Sequence, residues 1–231
     1  MIVPLSACLL GLVYGMGHAL EPDHLAAVTS LATERKSPRS SMMLGAAWGL
    51  GHTLSLATAG GVLVLLRKTV PSTFESCAEL VVAVMLLFLG VRAIRRSRAL
   101  ARGGASHHHS HGVSEEHDHS GPITHVHFLG LRLALRPLLV GLVHGLAGTG
   151  ALTALVLSQF TEATSGLVYI VLFGLGSTVG MALLTGALGV PLARLARHPR
   201  IYNGLTLGTG VLTVAFALGY GVTNARAFLL K

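Results

Sequence analysis

The chain has 231 residues, 52% of them hydrophobic and only 11% charged, with a formal net charge of +8. Soluble domains carry roughly 25% charged residues, so an ordinary soluble enzyme or binding module is excluded. The basic balance does not imply nucleic acid either, because aromatic residues for base stacking are few, at 5%.

Six apolar runs follow one another, at about 3–31, 42–66, 76–95, 134–158, 165–190 and 201–221. Most reach the ~20 residues that a spanning helix needs. The fold class is therefore all-α, a polytopic membrane protein with about six transmembrane helices, and 29 glycines suit helices that pack closely in lipid. The first run has no Lys or Arg before it, unlike a secretory signal, and is read as a retained span. Segments 34–41, 67–74 and 194–200 read as loops.

Inside the first run stands His18-Ala19-Leu20-Glu21-Pro22-Asp23-His24. Ionisable groups at membrane depth cost a few kcal/mol each and usually face a cavity, a partner or an ion. Imidazole with carboxylate suits borderline divalent metals. On a straight helix His18, Glu21 and His24 share a face and Asp23 points elsewhere. Pro22 has no N–H, so the helix should break there, turning Asp23 inward and leaving the carbonyl of His18 free as a further ligand.

His52 lies in the second run, in Gly49-Leu50-Gly51-His52-Thr53, and His144 in the fourth. His18, Glu21, Asp23, His24, His52 and His144 are the candidate metal residues. Glu75 and Glu79 open the third run and read as interfacial charges. Between the third and fourth runs His107, His108, His109, His111, His117, His119, His125 and His127 fall within 21 residues, among Glu115, Glu116 and Asp118. Such a tract binds metal through neutral imidazoles and reads as a disordered loop.

Two short segments recur. Gly11-Leu12-Val13-Tyr14-Gly15 matches Gly141-Leu142-Val143-His144-Gly145, and Trp48-Gly49-Leu50-Gly51-His52-Thr53 matches Phe173-Gly174-Leu175-Gly176-Ser177-Thr178. The expected organisation is a three-helix half at 1–96, a His-rich loop at 97–133 and a second half at 134–231, inserted upside down because three is odd. Of 17 Lys and Arg, 13 flank or follow the first, third and fifth runs. The positive-inside rule then puts the His-rich loop in the cytoplasm and both termini outside.

Cys8 and Cys77 belong to no CxxC pair, and the absence of cysteine near the motif disfavours Cu(I). Neither a P-loop nor His-Glu-x-x-His occurs, so no ATPase or metalloprotease is expected, and no other enzyme is implied. A thiol-redox carrier and a metal sensor or store acting through the loop are the readings from other classes.

His18 through His24 resembles the His-x4-Asp-His signature of the nickel/cobalt transporter superfamily, and Gly51-His52-Thr53 resembles its Gly-His-Ser/Thr motif. The compact six-run form is similar to the urease-accessory-type permeases, and the His-rich loop to the efflux branch. The chain departs in having Glu21-Pro22 where many uptake members have Asp-Ala. The resemblance implies transport of Ni²⁺ or Co²⁺ through His18, Asp23, His24 and His52, inward or outward, in the inner membrane, with no permanent cofactor. Zn²⁺ fits the same ligands. A cytoplasmic metallochaperone or urease accessory protein is the partner it implies.

Overall fold

In the computed structural model the residues described are 5–33, 37–101, 125–128 and 131–229. The first apolar run is two helices, α1 (Leu5–His18) and α2 (Pro22–Ala32). Pro22 occupies the start of α2, where its missing N–H costs nothing. The chain turns tightly between them, with Leu20 N–H donating to Gly17 O at 2.9 Å and Glu21 N–H to His18 O at 3.1 Å. The expected break is present, but the His18 carbonyl is not free, because Glu21 N–H takes the place of the bond that Pro22 cannot make.

The second run is α3 (Pro38–Ser55), a widened π turn (Leu56–Gly60) and α4 (Gly61–Leu65) in one continuous helix. Ser37 caps α3, its Oγ accepting from Ser40 N–H at 3.2 Å. The rest of the chain is α5 (Ser72–Ala101), a short antiparallel pair β1 (His125–Phe128) and β2 (Leu131–Ala134), then α6 (Leu135–Gln159), α7 (Ala163–Leu195) and α8 (Pro199–Leu229). Helices thus extend into each segment read as a loop, and α5 runs past the expected boundary at residue 96. The strands replace loop at 125–128 and 131–133.

Five helices among the described residues are long and apolar enough to cross a membrane, Pro38–Leu65 and α5 to α8. The chain is a polytopic, essentially all-helical integral membrane protein. Its outward side chains are apolar, with Val84 67%, Phe88 65% and Leu212 71% exposed, as a lipid-facing surface requires.

Glycines set the helix contacts. Gly45 and Gly49 of α3 abut Met181 and Thr178 of α7, while Gly174 abuts Thr53, so the two helices run antiparallel. Thr53 Oγ1 donates to Gly174 O at 2.6 Å and lies 2.8 Å from Thr178 Oγ1. α1 lies along α7 and α6 along α3, each pair parallel. Gly176 meets the Leu12 carbonyl as Gly51 meets that of Leu138, and Gly15 meets the Phe173 carbonyl as Gly141 meets that of Trp48. These contacts pair residue 12 with 138 and 15 with 141, one helical turn away from the sequence match. In this register the counterpart of His144 is His18, not Tyr14. A glycine every four residues lets a sequence match slip by one turn.

Candidate metal centre

The break between α1 and α2 lies level with the middle of α3 and α7. It leaves His18 at the end of one helix and Asp23 and His24 in the first turn of the next. His52 comes from α3 and His144 from α6, and both are held close by glycines, since Gly141 abuts Trp48 O and His52 N and Gly145 abuts His52 O. The four imidazoles are neighbours, with ring centroids 4.5 Å apart for His18–His24, 5.1 Å for His18–His52, 5.2 Å for His24–His52 and 4.3 Å for His24–His144. His24, His52 and His144 are buried.

Two sets of potential ligands converge. One nitrogen each from His18, His24 and His52 lie within 4.8 Å of one another, as do one ligand atom each from Asp23, His24 and His144. Carboxylates hold the rings, and because an ionised carboxylate can only accept, the ring N–H donates. His18 Nδ1 donates to Glu21 Oε1 at 2.7 Å, His24 Nδ1 to Asp23 Oδ1 at 3.2 Å, and His144 Nε2 to Asp23 Oδ2 at 2.8 Å. With Nδ1 occupied as a donor, Nε2 of His18 and of His24 keeps its lone pair. Both atoms are buried with no hydrogen-bond partner among the described residues, as are both nitrogens of His52 and Nδ1 of His144. Trp48 stacks on His24 with centroids 5.3 Å apart and planes at 27°, fixing the ring from behind.

A cavity of about 320 Å³ adjoins the cluster, lined by His18, Asp23, His24 and His144 at its inner end. Glu75 and Glu79 of α5, Leu155 of α6 and Tyr220 of α8 carry it toward the end where α5 begins and α6 and α8 finish. On the opposite side α2 packs on α8. There Ser30 Oγ lies 2.8 Å from Thr213 Oγ1, and Tyr202 donates to Thr33 O.

Over residues 5–227 the chain matches the NicO family, described as high-affinity nickel-transport protein. The chain belongs to this family. It is also 33% identical over 225 residues to the urease accessory protein UreH of Bacillus sp. (strain TB-90), covering 95% of this chain and 94% of that protein. No solved structure matches it.

In this NicO chain every candidate residue of the helical runs reaches the cluster, with its part differing in detail. Asp23 spends both carboxylate oxygens on His24 and His144, and Glu21, half-exposed, bonds His18. Glu75 and Glu79, read from sequence as interfacial charges, line the cavity instead. That was not signalled by sequence, since only the packing of α5 across the broken helix reveals it. His107, His108, His109, His111, His117 and His119 lie outside the described residues. His125 and His127 fall on β1.

Proposed function

We propose that the chain carries Ni²⁺ across the bacterial plasma membrane, and Co²⁺ by the same ligands. The observation that carries this reading is the convergence of His18, His24 and His52 with two of the three rings fixed by carboxylates. A metal-bound histidine commonly donates its other N–H to a carboxylate, which fixes the tautomer and raises ligand basicity. His18, His24 and His52 would hold the ion through unpartnered nitrogens. Glu21 and Asp23 would orient them, and His144 would join when Asp23 turns to the metal. Nitrogen and oxygen donors without thiolate suit Ni²⁺ and Co²⁺, and Zn²⁺ by the same chemistry.

The halves 1–96 and 134–231 would be inverted repeats that rock about this site, a reading supported by the paired glycine contacts of α1 with α7 and of α6 with α3. The basic residues support a cytoplasmic segment 97–133 and outer termini, which makes the cavity face outward. The UreH relative is named as a urease accessory protein, and supplying Ni²⁺ to a cytoplasmic urease calls for uptake. A cytoplasmic metallochaperone or urease accessory protein would then receive the ion, with the His-rich segment collecting it first. The chain would act as a carrier rather than an enzyme, with the metal as cargo and no permanent cofactor.

The test is Ni²⁺ flux in cells expressing the wild type or His24→Ala at equal membrane levels. Accumulation that His24→Ala abolishes is expected. Depletion would reverse the direction, and normal flux in His24→Ala would overturn the site.

A further inference from the structure

The cavity holds more acid than the histidine cluster uses. Among the described residues, every Asp, Glu, Lys or Arg lining it is acidic, namely Glu21, Asp23, Glu75 and Glu79. Glu21 and Asp23 bond the histidines, whereas Glu75 and Glu79 sit one turn apart on α5, on one face. Glu75 is drawn inward rather than left at the helix end. A Cβ at Gly150 of α6 would stand 2.9 Å from its Cδ and closer still to Oε1, so the carboxylate in this position occupies the space that the missing side chain at 150 leaves. A second observation points to a ligand in the same space. His24 and His144, 1% and 2% exposed, line the same cavity, and Nε2 of the first and Nδ1 of the second have no hydrogen-bond partner among the described residues.

We propose that Glu75 and Glu79 form an outer subsite that takes a still-hydrated divalent cation and passes it to the histidines; this rests on the transport reading above. A cavity of about 320 Å³ has volume for roughly ten waters at ~30 Å³ each, enough to keep a hydration shell partly intact beside the carboxylates. Carboxylate and water suit hard cations such as Mg²⁺ and Ca²⁺ as well as transition metals, whereas imidazole selects the borderline ions. The outer subsite therefore concentrates divalent cations without choosing among them, and choice falls to the histidines. Dehydration is divided into two stages. Like-signed charge in a low-dielectric cleft raises the local cation concentration by tenfold or more.

The test is Ni²⁺ flux against Ni²⁺ concentration in right-side-out and everted membrane vesicles, for the wild type and Glu75→Gln/Glu79→Gln. The half-saturating concentration should rise about tenfold, only when Ni²⁺ is added on the face where α5 begins, with maximal flux changing far less. The Glu75→Asp/Glu79→Asp variant should recover most of the affinity. In the wild type, millimolar Ca²⁺ should raise the half-saturating concentration on that face without lowering maximal flux. An unchanged half-saturation in the inserted glutamine variant would overturn the subsite, as would a loss confined to maximal flux. If that variant does not insert, an absence of Ca²⁺ competition in the wild type overturns it. Failure of His24→Ala to lose flux would instead strike the histidine site, so the two readings fail separately.

Discussion

Replacing Gly141 with Ala adds one methyl group where α6 touches α3. The new Cβ would stand 2.9 Å from both Trp48 C and His52 N, and closer to Trp48 O. All three are backbone atoms and cannot rotate away. Ordinary carbon contacts lie at about 3.5–4.0 Å, so α6 must retreat by roughly 1 Å. Overpacking of this kind costs about 1–3 kcal/mol, which exceeds the ~0.5–1 kcal/mol that Ala gains over Gly in a helix. His144 lies one turn further along the same face. Its 2.8 Å bond to Asp23 does not survive a 1 Å shift, and losing such an outer partner lowers metal affinity by about 10–100-fold. The comparison is Gly204→Ala on α8, where a Cβ meets nothing within 4 Å. Thermal unfolding in detergent and Ni²⁺ titration calorimetry on both variants decide the matter. Gly141→Ala should unfold at lower temperature and bind Ni²⁺ more weakly, while Gly204→Ala should match or exceed the wild type in stability and bind as it does. Equal behaviour of the two variants would refute the contact-based reasoning.

Asp23→Asn should weaken Ni²⁺ binding by about 10–100-fold with insertion unchanged, because the amide cannot accept from both His24 and His144 through two oxygens; wild-type affinity by calorimetry would count against this orienting role. Deleting residues 106–124 should reduce flux or its regulation but leave a working pathway, since no described helix is touched, and abolished flux in a stably inserted deletion would place an essential site there. Single cysteines at Ser110 and Thr164, in a background lacking Cys8 and Cys77, should react with an impermeant maleimide from opposite faces, Ser110 only after permeabilisation; labelling from one face would contradict the orientation read from the basic residues.

The membrane architecture was legible in the sequence because it rests on hydropathy and on proline. Pro22 lacks the N–H that a continuous helix would use there, so the division of the first run into α1 and α2 could be read from it, although Pro191 lies inside α7 without breaking that helix. What depends on side-chain rotamers could not. Asp23 reads as a direct ligand by composition, and composition does not reveal that its two oxygens lie on His24 and His144, with which it shares a potential ligand set. Glu75 and Glu79 look like the polar end of an apolar run, because the recess at Gly150 that admits Glu75 exists only once α5 and α6 meet. The register between α1 and α6 slipped by a turn because glycines at spacing four satisfy two alignments equally well. At 125–134 the alternation His-Val-His-Phe and Leu-Arg-Leu-Ala carried a strand signal of period two. The histidine composition, taken as a sign of loop, concealed it.

The most direct test of the histidine site is X-ray absorption at the nickel edge on protein lacking residues 106–124 and loaded with one equivalent of Ni²⁺. Scattering from three imidazoles with oxygen completing the shell is predicted for the intact site, with one imidazole lost in His52→Ala. A sulfur shell, or a spectrum that His52→Ala leaves unchanged, would contradict coordination by His18, His24 and His52.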